Sequence, residues 1–170
     1  MSRVIIFVSL FVFLVCFAAE DNPVNIKAER FEVNLSTNYF EANEKIVIEQ
    51  GKLIIRADKA NYKESKNKIN LFDNIIADYL EVKIYCQEMV FDREKNIVNA
   101  FKDVQVIYKE YIVYSQKLVY YPDKGLMIFK GEAIVNQGKN VLKSNDITLD
   151  LKKNKIYSDN KTNFMISNGN

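Results

Sequence analysis

Seven aspartates, Asp21, Asp58, Asp73, Asp78, Asp103, Asp146 and Asp150, are the side chains to weigh first for general acid–base chemistry. None adjoins a base or a nucleophile in sequence, and the chain has no histidine, so Ser–His and Cys–His pairs and imidazole metal ligands are absent. The carboxylates therefore read as a solvated outer face, with no catalytic residue, no metal site, no cofactor and no enzyme activity expected. Lys66, Lys95, Lys124 and Lys153, spaced 29 residues apart, form a ladder that suits either phosphate contacts or plain solubility. What remains with a chemistry of its own is apolar: Ile55, Ile75, Ile84, Met89, Phe91, Val104, Val106, Val113, Leu118, Tyr120, Phe129 and Val135. Such a set either fills a closed sandwich or lines a trough that a ligand can cover.

The elements that position these residues repeat. A small residue followed by a polar one sits at Ala28-Glu29, Ala57-Asp58, Cys86-Gln87, Ser115-Gln116 and Ser144-Asn145, and Asn38, Asn67, Asn96, Gly125 and Asn154 keep the same interval of 29. Two interlocked ladders imply five stacked units that bury one shared surface. Each unit reads as two strands. In the fourth, alternating segments from Tyr111 to Tyr120 and from Leu126 to Val135 flank the turn Pro122-Asp123-Lys124-Gly125. Asn or Gly recurs at 38, 67, 96, 125 and 154 because a hairpin there demands positive φ. The expected fold is all-β, an antiparallel meander of about ten strands.

A change of parity inside the first strand of each unit gives the sheet its shape. Ile55 and Ala57 are followed by Ala60 and Tyr62, Ile84 and Cys86 by Met89 and Phe91, and Val113 and Ser115 by Leu118 and Tyr120. Side chains alternate faces along a strand, so keeping both sets on one side requires one extra residue, a bulge that bends it. The second strand keeps its parity, as in Met127, Phe129, Ala133 and Val135, and is expected to bend with no extra residue. Five aligned bulges crease the sheet into a V, open along one side, with a trough on the order of 45–50 Å long.

The first 19 residues read as a signal peptide. Arg3 precedes an apolar run from Val4 to Ala19, Ala18 and Ala19 suit cleavage, and Glu20-Asp21 follows. The run is shorter than the roughly 20 residues a membrane helix wants, which leaves a retained anchor as the minority reading. Removing the leader leaves Cys86 as the one thiol, so no internal disulfide is expected. It also leaves 23 basic against 22 acidic side chains, a balance that argues against nucleic-acid binding.

Three segments carry a resemblance: Arg56-Ala57-Asp58-Lys59-Ala60-Asn61-Tyr62, Ser115-Gln116-Lys117-Leu118-Val119-Tyr120-Tyr121 and Phe129-Lys130-Gly131-Glu132-Ala133-Ile134-Val135. Together with the register they make residues 24 to about 165 resemble the organic-solvent-tolerance protein A-like (OstA-like, LptA–LptC) family of periplasmic lipopolysaccharide-transport β-jellyroll proteins. The sequence departs from that pattern at one point, where Glu44, Asp73, Lys102 and Asn160 stand at equivalents of Gly131. The resemblance implies a V-shaped open jellyroll over residues 20–170 whose twelve trough residues hold the acyl chains of lipopolysaccharide or a related glycolipid. It further implies a periplasmic bridge that joins head to tail, through its edge strands, with copies of itself and with the inner-membrane transporter and outer-membrane translocon. Each buried methylene contributes about 0.8 kcal/mol, so a fourteen-carbon chain gains on the order of 10 kcal/mol before ordering costs. Two other readings stand beside it: a membrane-anchored LptC-like component of the same pathway, and a ligand-free β-repeat scaffold whose strands would run parallel.

Overall fold

The computed structural model of the chain describes residues 25–166, so the expected signal peptide lies outside the described residues. Twelve strands form one sheet: β1 (Asn25–Lys27), β2 (Arg30–Asn34), β3 (Tyr39–Gln50), β4 (Leu53–Lys63), β5 (Lys68–Tyr79), β6 (Val82–Asp92), β7 (Ile97–Tyr108), β8 (Tyr111–Tyr121), β9 (Leu126–Gln137), β10 (Asn140–Asp150), β11 (Lys155–Tyr157) and β12 (Thr162–Met165). From β3 to β10 each strand pairs with its sequence neighbours, while β1 and β2 both pair with β3 and β11 and β12 both pair with β10. Every pairing is antiparallel. The parallel strands of a ligand-free solenoid are thereby excluded. The two ends do not meet, so the sheet stays open.

Long strands recur in register. β3, β5, β7 and β9 begin at Tyr39, Lys68, Ile97 and Leu126, and β4, β6, β8 and β10 at Leu53, Val82, Tyr111 and Asn140, each 29 residues after the one before. The count is twelve rather than about ten because the first and last positions are broken where the inner strands bend. An edge strand has a neighbour on one side only, and a bulge there interrupts its ladder instead of being spanned.

The crease confirms one half of the parity argument and corrects the other. In β6 the inward residues step from Cys86 to Met89, a gap with one extra residue, and pairing with the neighbours shifts there. The partner strands were expected to bend with no insertion, yet they insert two residues. Glu44 and Lys45, Asp73 and Asn74, Lys102 and Asp103, and Gly131 and Glu132 all hold positive φ, between 49° and 77°. Two added residues restore the original parity, which is why alternation in the sequence conceals them. Glu44, Asp73 and Lys102 thus share the left-handed backbone of Gly131, whereas Asn160 lies in the break between β11 and β12. A Cβ at Gly131 would come within 2.6 Å of Gln116 Oε1, so glycine serves close approach there.

The turns on the two long edges differ. Asn38, Asn67, Asn96, Gly125 and Asn154 all take positive φ, as their types predict. Their turns come in two forms. At three of them a strand-end side chain accepts a backbone N–H three residues on: Thr37 to Asn34, Lys95 to Asp92 and Lys153 to Asp150, at 3.0–3.1 Å. The two between them wind into single 3₁₀ turns at Glu64–Lys66 and Pro122–Lys124. On the opposite edge the hairpins have two-residue loops whose first residue is left-handed: Gly51, Leu80, Lys109 and Gly138. Leu80 has a Cβ in that region and is 64% exposed, so it incurs strain without packing in return. Leu80→Gly is expected to raise the unfolding free energy by about 1 kcal/mol, seen as a higher urea midpoint at unchanged slope.

Candidate functional site

Directly paired residues share a face, so the pairings trace continuous apolar rows along the inside of the fold. On one wall Ile26, Ile48, Ile55, Ala77, Ile84, Val106, Val113, Val135, Leu142 and Phe164 stand side by side across the whole sheet. On the other, a row from Phe31 through Ala42, Ala60, Leu71, Met89, Ala100, Leu118 and Phe129 to Ile147 runs beside one from Val33 to Ile156 that includes Ile69, Phe91, Val98, Tyr120 and Met127. The crease separates the walls. Its floor is made of Ala57, Cys86 and Ser144, all buried. Burial pushes the Cys86 thiol up to about 12, so it is a packing residue rather than a nucleophile.

The two halves of this interior differ. A cavity of about 60 Å³ lies between the walls; its lining comes mostly from β3–β6, with Ile55, Ala77, Ile84, Leu71, Met89 and Phe91 among others, and runs on to Val98, Tyr120 and Met127 of β7–β9. Its lining is almost wholly apolar. Burial, with the neighbouring Tyr79 and Asp123 adding to it, pushes the Tyr120 hydroxyl up to about 12. Toward the C-terminal side the walls close on each other, and Val104, Val106, Val113, Leu118, Phe129 and Ile147 are buried among themselves.

All twelve residues singled out in the sequence lie in the apolar interior, but not in one place. Ile55, Ile84, Met89, Phe91 and Tyr120 line the cavity. Ile75, Val104, Val106, Val113, Leu118 and Phe129 are buried outside its lining. Val135 faces a separate depression with Tyr111, Leu142, Ile156 and Phe164. Ile48, Leu71, Ala77 and Val98 also line the cavity and escaped the sequence reading. Their signal is the alternation already used: Ile46 and Ile48, Ile69 and Leu71, Ile75 and Ala77, and Val98 and Ala100 each keep one parity.

Among the described residues, none covers either end of the interior. Phe31 and Val33 pair with the inward Ala42 and Phe40 yet are 46% and 41% exposed, and Phe164, paired with Leu142, is 56% exposed. Equivalent inward positions in the middle of the sheet, such as Met89 and Leu118, are buried.

The four ladder lysines lie at turns, whereas ion pairs such as Lys83–Asp78 at 3.1 Å and Lys59–Asp73 at 3.7 Å join residues within the strands. Lys66, Lys95, Lys124 and Lys153 are exposed on one rim, where Lys124 sits over the Tyr121 ring and Lys153 pairs with Asp150 at 3.5 Å. Hydrogen bonding from the Lys153 backbone N–H, helped by the Lys153 charge, holds the Asp150 carboxyl below its ordinary 3.8. For Asp92 burial opposes ionisation, but the Lys95 N–H and Lys68 outweigh it and the shift is again downward. A depressed carboxylate stabilises the fold above its unfolded-state pKa, and that contribution is lost as pH falls through the lower folded-state value. Asp150→Asn is therefore expected to lower stability at neutral pH while flattening its acid dependence, so that variant and wild type converge below pH 3.8 in denaturation series run across pH.

Among the described residues no group of side chains is suited to hold a metal, and no helix is long and apolar enough to cross a membrane. The sequence profile of the family described as LptA/(LptD N-terminal domain) LPS transport protein matches residues 25–155. Comparison with curated proteins finds no match. Among solved structures the chain is similar to a crystal structure of LptH, described as the LptA homologous periplasmic component of the conserved lipopolysaccharide transport device from Pseudomonas aeruginosa. Identity is 15%, the match covers 86% of this chain and 96% of that one, and the TM-score is 0.37.

Proposed function

The chain belongs to the LptA/(LptD N-terminal domain) family of LPS transport proteins, and from that premise we propose that it carries lipopolysaccharide, or a closely related glycolipid, as a periplasmic bridge between an inner-membrane transporter and an outer-membrane translocon. Acyl chains lie between the two walls and the sugars remain outside. The leader at residues 1–19 is removed near Ala19, and sequencing of the mature N-terminus tests this by a start near Glu20.

The observation that carries this reading is the apolar interior that, among the described residues, runs from one edge of the sheet to the other without a cap. A closed sandwich would cover Phe31, Val33 and Phe164, and here they are left to solvent. Edge strands with unpaired backbone groups stand beside them at both ends. Pairing β1 and β2 of one copy with β11 and β12 of another, or with the membrane components, would continue the sheet and join the interiors into one channel. The cavity itself has room for only a few waters, so an acyl chain must part the walls. Burial at about 0.8 kcal/mol per methylene is the favourable term that offsets this opening. No catalytic step is assigned to the protein.

A photo-crosslinking residue placed at Phe91, inside the cavity, is expected to capture labelled glycolipid from the cell envelope, while the same group at outward-facing Val90 captures little. Equal labelling at both positions, or silence at Phe91, would contradict a lipid-carrying interior.

A further inference from the structure

The two free edges of the sheet differ in chemistry but match in direction. β12 carries no charged side chain, and Phe164, Met165 and the following Ile166 are all exposed, which leaves an edge with nothing to repel a second strand. On the other edge β2 alternates the charged Arg30 and Glu32 with the exposed Phe31 and Val33. Strand direction alternates at every step from β3 to β10. β1 and β2 therefore run opposite to β11 and β12, and a second copy set head to tail continues the antiparallel order without a break.

The 29-residue repeat then supplies the register of such a joint. Within the chain β9 and β10 pair Val135 with Leu142, Lys130 with Asp146, Phe129 with Ile147 and Met127 with Leu149. One period after those β9 residues stand Phe164, Asp159, Ser158 and Ile156, and four periods before those β10 residues stand Ile26, Arg30, Phe31 and Val33. In this register Ile26 of the second copy lies against Phe164 and its Val33 against Ile156, so both apolar rows run on across the joint. Its Phe31 meets Ser158 where the inner sheet sets Ile147 against Phe129, so the large and the small side chain change places. The Ser158 hydroxyl is fixed 2.8 Å from that of Ser144.

The charges match in the same way. Arg30 of the second copy comes opposite Asp159, with the signs of Asp146 and Lys130 exchanged. Both side chains are exposed, and neither forms a salt bridge among the described residues. A slip of two residues is the smallest that keeps inward faces inward. In one direction it sets Glu32 against Asp159, like against like, and in the other it leaves Arg30 against Tyr157.

We propose that a second copy of this chain docks its β1 and β2 on β11 and β12 in the register of β9 and β10, and that Arg30 opposite Asp159 is the pair that fixes this register. This rests on the pairing of copies described above and adds the residues that select it.

Two charge reversals, Arg30→Glu and Asp159→Arg, test the joint in the exported chain by sedimentation velocity at low ionic strength, where exposed charges are least screened. The wild type is expected to associate with rising concentration, and each variant alone to associate about tenfold more weakly, because like charges then face each other. An equal mixture of the two variants should recover association. In the mixture the substituted end of one variant meets the substituted end of the other, and the unaltered ends meet as in the wild type, a rescue that misfolded chains could not give. Variants that associate as tightly as the wild type, or a mixture no tighter than its components, would overturn this register and leave head-to-tail pairing standing. A wild type that stays monomeric at every concentration would overturn the pairing of copies, and the register with it.

Discussion

Phe129→Ala is expected to lower the unfolding free energy by about 3–5 kcal/mol, the range for truncating a fully buried phenylalanine. Phe129 has no exposed surface and stands in register between Leu118 and Ile147 in the half of the interior that is closed. Strands on both sides hold it in place, so the walls cannot collapse into the space it leaves, and the cavity term adds to the lost transfer energy. Against a typical total of about 5–15 kcal/mol this leaves a marginal domain. Urea unfolding should show a lower midpoint at unchanged slope, and Phe129→Leu should recover most of the loss. A cost under about 1 kcal/mol would mean that the C-terminal half is looser than its burial implies.

Ala77→Leu is expected to weaken acyl-chain binding by about tenfold or more while leaving the fold intact. Ala77 is flanked by Ile55 and Ile84 and faces the cavity. Its small side chain is part of why the walls stand apart at that point. A leucine takes up the space that a lipid methylene would use, and two methylenes denied contact are worth about 1.6 kcal/mol. Folding should tolerate the change because the added carbons enter a space of about 60 Å³ that is already present. Titration with palmitate checks affinity, and thermal unfolding of the same variant checks the fold. Unchanged binding would place the chain elsewhere in the protein.

Much of this architecture is written in the alternation of the sequence, and the exceptions have identifiable causes. The bulge after Ala57, Cys86, Ser115 and Ser144 is legible because one extra residue reverses parity. The paired left-handed residues opposite, such as Asp73 and Asn74, are not, because two extra residues cancel. Positive φ at Asn67 or Asn96 follows from residue type, but at Leu80 and Lys109 it follows from position in a two-residue loop, against the preference of the side chain. Turn alternation is similarly hidden: Asp92 and Asp150 cap their turns, whereas Pro122–Lys124 winds into a 3₁₀ turn within the same 29-residue interval.

For the interior, parity identifies which side chains face inward, and all twelve expected residues do so. It does not reveal which of them meet across the mouth. That depends on how far the folded sheet offsets one edge against the other, a sum of twist over several strands. Tyr108 finds Asn154, 46 residues on, rather than a residue of an adjacent turn for this reason.

Intermolecular nuclear Overhauser effects between the methylene protons of bound acyl chain and the methyl groups of Ile84 and Met89 test the central claim most directly. Both residues line the chamber, on opposite walls. A chain lying between the walls must give contacts to both methyl groups in one complex. Contacts to neither, with binding confined to outward-facing residues such as Val90, would contradict it.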